Sequence, residues 1–167
     1  MTAMAAIPAI DSADLRRTLG CFPTGVAIVT TADQDGAPVG LTISSFNSVS
    51  MDPPLILWSL ALNAASLPVF RSSGGFAINI LSADQADLPR VFSSPVEERF
   101  ADLDWQPGLD GHPVLGGTAA VIECKSYARY DGGDHEIMLG QVLRHRSTDL
   151  TPLVYGKGRL APLFLDN

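Results

Sequence analysis

The chain has 167 residues, 46% of them hydrophobic and 17% charged, which is enough apolar material for one domain around a sizeable core. Eighteen acidic against 11 basic residues leave a formal net charge of -7, a field that repels a phosphate backbone and argues against nucleic acid as a partner. No apolar run reaches the ~18 residues of a membrane span, while a mean hydropathy of +0.19 suggests apolar surface covered by a second copy in a homodimer.

Residues 1–10 read as a flexible N-terminal arm, because they lack the basic start of a secretory signal and run into Asp11 and Asp14. Residues 11–167 read as a single cytoplasmic domain. Asp11 or Ser12 caps a short helix in which Leu15 and Leu19 share a face, and Gly20 with Pro23 ends it. Gly25 to Thr31 is β-branched and apolar, Asp35-Gly36 is a hairpin turn, and Val39 to Phe46 returns as a second strand. Asp52-Pro53-Pro54 forces an extended turn before Leu55 to Leu60, a third strand expected to be buried on both faces. Ser66 precedes a short helix through Phe70 that stops near Gly74-Gly75; Phe76 to Leu81 is a fourth strand, and a helix follows from Asp84 to about Phe92.

Ser93 to Gly117 is rich in Pro, Gly and Asp and reads as a long ordered loop anchored by Phe100, Trp105 and Leu109. Ala119 to Tyr130 and Glu136 to His145 are strands joined by Asp131-Gly-Gly-Asp134, and Leu153 to Leu160 is a last short strand. About seven strands, mostly joined by hairpins, with a few short helices predict a mainly β fold. An antiparallel barrel, closed or nearly so, fits because closure removes exposed edges.

The polar run Thr42-Ile-Ser-Ser-Phe-Asn-Ser48 leaves a strand for an irregular segment, so its hydroxyls and amides can donate to a phosphate or to a flavin carbonyl edge. A solvated strand face and turn reads the same run as well. Asn63 and Ser66 stand at a helix start, where free N–H groups favour an anion, although Ser66 also fits an ordinary cap. Gly132-Gly133-Asp134-His135 is a hairpin tip that places an imidazole against a ligand or, equally, in solvent. Arg99-Phe100, with Trp105, offers a guanidinium and an aromatic wall for a dinucleotide, or simply a loop pinned by its aromatics. Tyr155, Gly158 and Arg159 are candidates to border a site across a dimer interface.

The histidines lack metal-ligand spacing, so no metal is expected; without a nucleophile elbow a hydrolase triad has nothing to rest on, and without a G-x-G-x-x-G or P-loop a bound nucleotide needs another architecture. Cys21 and Cys124 have no C-x-x-C spacing and read as small core residues.

Taken together these segments resemble the flavin reductase-like family, the reductase components of two-component flavin monooxygenases, from about Leu15 to Pro162. The resemblance is carried by Phe22-Pro-Thr-Gly-Val-Ala-Ile-Val-Thr30, Gly40 to Ser50 with Pro53-Pro54-Leu55, and Phe76 to Leu81. It continues through Arg99-Phe100, Trp105 with Gly108, Gly111, Pro113 and Leu115, Gly133-Asp134-His135, and Pro152 to Tyr155. It implies an FMN-binding split β-barrel working as a homodimer. FMN or FAD would lie near Thr42, Ser44, Ser45, Asn47, Ser48 and the Asn63–Ser66 helix start, with His135 seating the nicotinamide of NADH or NADPH.

Two departures stand out: Ala64-Ala65, where the family usually offers hydroxyls or a Lys, and Leu160, where an aromatic residue is common. The implied activity is hydride transfer from the nicotinamide to the flavin, which then leaves for a separate monooxygenase. Alternatives on the same fold are an FMN-retaining reductase of a bulky acceptor such as a cobalt corrinoid, and a flavin- or haem-binding module without turnover.

Overall fold

The computed structural model describes residues 9–94 and 98–164, so nearly all of the expected N-terminal arm lies outside the described residues. Helix α1 (Ser12–Leu19) opens on the Asp11 cap, whose carboxylate accepts the Asp14 amide at 2.7 Å. The strands that follow are β1 (Thr24–Gly25), β2 (Ala27–Ala32), β3 (Pro38–Ile43), β4 (Asn47–Met51) and β5 (Pro54–Ala61). Then come α2 (Leu67–Ser72), β6 (Gly75–Ile80), α3 (Leu88–Ser93), β7 (Trp105–Pro107) and β8 (Pro113–Leu115). The chain ends in β9 (Ala120–Gly132), β10 (His135–Ser147), β11 (Leu153–Gly156) and β12 (Arg159–Pro162). No helix among the described residues is long and apolar enough to cross a membrane.

The main sheet runs β3-β2-β6-β9-β10-β5-β4. Every pairing in it is antiparallel. Laid flat, its two edges would stand about 29 Å apart at ~4.8 Å per strand. Yet the edges are β3 and β4, successive in the chain and joined only by Ser44, Ser45 and Phe46, a link that reaches at most about 14 Å. The sheet must therefore curl into a barrel, split where β3 and β4 meet without pairing.

Strand β2 is buried on both faces because two apolar layers meet on it. Ala27 and Val29 join Trp58, Phe70, Phe76 and Ile78 inside the barrel, where Trp58 meets Phe70 and Phe76 edge-on. Val26 and Ile28 face the other way, onto Leu81, Phe92, Phe100, Leu115 and Leu153. Asn79 pins the outer layer: its Nδ2 donates to Ile28 O and Thr30 Oγ1, both at 3.0 Å, and its Oδ1 accepts from Leu115 N at 2.9 Å.

Several expectations are corrected. The segment from Asp84 is split into a 3-10 turn (Ala83–Gln85) and α3, because Pro89 can neither donate to a preceding carbonyl nor fit inside one continuous helix. The loop from Ser93 carries the small β7–β8 hairpin. Leu153 to Leu160 is a hairpin, not one strand: Lys157 and Gly158, at φ 48° and 76°, turn β11 back into β12, and both join β1 in a three-stranded sheet. The strand expected through Phe46 stops at Ile43 and β4 follows as an additional strand, while β5 is buried fully on one face only. Cys21 is exposed rather than in the core, whereas Cys124 is buried and its thiol is pushed up to about 12, chiefly by desolvation.

Two outcomes follow. Asn79→Ala removes three buried hydrogen bonds and should lower unfolding stability by about 3 kcal/mol, read as a shifted urea midpoint at unchanged slope. The His112 ring is buried, with Nδ1 3.3 Å from Thr31 Oγ1; desolvation holds its pKa below the ordinary value, against smaller opposing pulls from Asp110 and Glu123. The unfolded chain, whose histidine titrates near about pH 6.5, then binds more protons below that pH, so this contribution is complete above it and lost as pH falls. Melting temperature should drop between about pH 7 and about pH 5.5, and drop less in His112→Gln; parallel curves would refute the assignment.

Candidate functional site

β5 ends at Ala61 opposite His135, where β10 begins, and the corner that follows β3 packs against the end of β5 through Ser45 and Ser59, so this corner and these two ends form one rim. At the corner Ser45 replaces a missing ladder: its Oγ accepts from Ser59 N at 2.9 Å and donates to Ser59 O at 3.4 Å. With Ser45 turned in, Ser44 is exposed on the opposite side.

Ser44 and Tyr155 line two adjoining hollows. One is a groove of about 700 Å³ edged by Arg16, Leu19, Phe22, Thr24 and Lys157. The other is a recess of about 330 Å³ walled by Val26, Thr42, Pro89 and Leu160. Thr42 Oγ1 donates to Pro89 O at 2.9 Å, so only its lone pairs remain for a ligand. Thr24 Oγ1 is buried with no hydrogen-bond partner among the described residues, a donor whose desolvation is uncompensated by the chain itself.

Beside this rim stands the hairpin tip. Leu62 N donates to Asp134 O at 3.0 Å, tying the tip to the end of β5. His135, partly exposed, sets Nδ1 2.7 Å from Asp134 Oδ1, which leaves Nε2 to meet a ligand. The hydrogen bond and charge of His135, and more weakly the charge of Arg16, hold the Asp134 carboxyl below the usual carboxylate range.

Of the residues expected from sequence, the structure gathers Thr42, Ser44 and Tyr155 around the hollows. Asn63 and Ser66 follow β5 on the side of the tip, but Ser66 has helical backbone angles and its hydroxyl makes no cap bond. Asn47 and Ser48 are exposed on the edge strand β4. Arg99 and Phe100 are drawn elsewhere: Arg99 donates to Gly40 O at 3.1 Å and Ser94 O at 2.7 Å, and Phe100 is buried against Phe92 and Trp105 at 5.1 and 5.8 Å. Gly40 permits that clamp, since a Cβ there would stand 2.8 Å from Phe92 and 3.0 Å from Phe100.

Thr24, Arg16 and Lys157 were not singled out from sequence. Thr24 does sit in the Phe22-Pro-Thr-Gly stretch, whereas Lys157-Gly158 is a weak turn signal. Arg16 is one surface cation among several until the fold sets it on the edge of the groove.

The profile of the flavin reductase like domain matches residues 19–163. The chain belongs to the flavin reductase-like family. Within that family, the FMN reductase (NADH) SmoA of Agrobacterium fabrum is 45% identical over 148 residues, covering 89% of this chain and 84% of that protein. A Rhizobium meliloti relative described as a flavin reductase is 43% identical over 148 residues, and there the chain spans only 48% of the relative's length. The Streptomyces globisporus NADH:FAD oxidoreductase SgcE6 superposes with a TM-score of 0.86 at 34% identity, over 98% of this chain and 96% of that one.

The residues present fit a flavin. An apolar slot between Leu19, Phe22 and Tyr155 suits a flat tricycle, and the orphaned Thr24 hydroxyl and the Ser44 hydroxyl supply donors at its edge. The corner separates two adjacent serines by role. Ser45→Ala should lower stability by about 1 kcal/mol, whereas Ser44→Ala should leave stability unchanged and weaken FMN binding by about 1 kcal/mol, as read by denaturant titration and flavin fluorescence quenching. Equal effects of the two variants on flavin affinity would contradict the assignment.

Proposed function

We propose that this flavin reductase-like chain is an NAD(P)H:flavin oxidoreductase that passes hydride from NADH or NADPH to FMN or FAD and supplies a separate monooxygenase. The observation that carries this reading is the pair of hollows sharing Ser44 and Tyr155, which gives two flat ligands adjoining berths at one rim. Relatives named FMN reductase (NADH) and NADH:FAD oxidoreductase support it, as does a relative named as the reductase component of a flavin-dependent trigonelline monooxygenase.

When bound, the flavin supplies the hydride acceptor. The chain's own part is binding, orientation and exclusion of water. Ser44, Thr24 and the amides between β3 and β4 offer donors toward the ring's carbonyl edge. Leu19, Phe22 and Tyr155 keep the slot apolar, and Thr42 offers lone pairs within the recess. His135, oriented by Asp134, presents Nε2 toward the nicotinamide. Ser48, Asn63 and Ser66 remain candidates for the flavin phosphate, where Ala64-Ala65 leaves the grip weak enough for a flavin that must depart.

A homodimer fits this reading, because Phe22, Met51 and Phe164 are 77%, 89% and 82% exposed and want cover. The cytoplasm fits too, since Cys21 and Cys124 are free thiols.

Mixing the protein with NADH and excess FMN should remove nicotinamide absorbance at many turnovers per subunit. His135→Ala should raise the nicotinamide KM about tenfold with little change in flavin affinity. Absence of nicotinamide consumption by the wild type with both NADH and NADPH, and with either FMN or FAD, would overturn the proposal.

A further inference from the structure

We infer that Arg16 and Lys157 hold the two phosphates of the nicotinamide dinucleotide along the α1 edge of the groove. This rests on the reductase reading above and names the part of that site which recognises the hydride donor.

The chain carries a net charge of -7, yet the groove is lined by Arg16, Arg17 and Lys157 and by no Asp or Glu. Such a local reversal of sign draws an anion to one place on an otherwise repelling surface. Arg17 is already neutralised by Asp14 at 2.8 Å, while Arg16 and Lys157 have no salt-bridge partner among the described residues. The two come from different elements and are fixed relative to each other, because Gly20 N donates to Arg16 O at 2.9 Å and Lys157 N donates to Gly20 O at 2.7 Å.

The cationic edge runs from Arg16 on α1 to Lys157 in the β11–β12 turn. The smaller recess, with Thr42 and no Lys or Arg in its lining, suits a ring rather than a pyrophosphate. Two uncommitted cations match the two charges of NADH.

The test is steady-state kinetics of Arg16→Gln, Lys157→Gln and the double variant, with riboflavin and then FMN as acceptor. Riboflavin has no phosphate, so any loss seen with it belongs to the donor. Each single variant should raise the KM for NADH about five- to tenfold with both acceptors, kcat changing less than the KM. Arg16→Lys and Lys157→Arg should recover most of the loss, and Lys125→Gln, of the same charge change on β9, should show none.

An unchanged KM for NADH would overturn the inference. So would a loss confined to the KM for FMN, which would give these cations to the flavin phosphate instead. Calorimetric titration of NAD+ reads the contact without turnover: weaker binding by the double variant supports it, and equal or undetectable binding by wild type and variant overturns it. Failure of the reductase reading shows separately, as a wild type that oxidises neither NADH nor NADPH with any flavin.

Discussion

The three residues between β3 and β4 constrain everything else in this fold. They join the opposite edges of a seven-stranded sheet, and a link that short permits no flat arrangement. Curling the sheet creates an inside for Trp58, Phe70 and Phe76, and an outside on which the chain after β6 packs. It also produces a corner with no ladder, where Ser45 stands in for a strand neighbour and Ser44 is left facing the hollows.

That corner explains why the site could be read only in part from sequence. Alternation along Thr42 to Ser45 is visible in the residues, but which serine faces inward depends on Ser59, fourteen positions away and fixed by tertiary register. The strands with long β-branched runs, such as Ala27 to Ala32, were legible because period and composition agree there. The hairpin tip at Gly132–Gly133 was legible for the same reason. The β11–β12 turn was not, since Lys157 is a non-glycine residue at positive φ, and such residues give weak signals.

Arg99 and Phe100 show the opposite difficulty. A guanidinium beside an aromatic ring resembles ligand-binding chemistry, and here the same pair closes a loop over Gly40. Only the space above a glycine distinguishes the two uses, and sequence does not report space. Cys21 was misplaced for a related reason: a small apolar residue after a helix can turn either way, and nothing local decides which.

The salt bridge between Glu123 and Arg144 gives the far end of the long β9–β10 ribbon a different character from the rim. Burial alone would raise the Glu123 carboxyl, but the Arg144 contacts, the Leu109 amide and the charge of Arg146 outweigh it and leave it lowered. The ribbon is thus bolted at its base, near the β7–β8 hairpin, and tied at its tip, where Leu62 N donates to Asp134 O. His135 is flanked by Gly132 on one side and Ala61 on the other, so the sheet sets the imidazole's post from both neighbours, and loosening either strand would be felt at that ring.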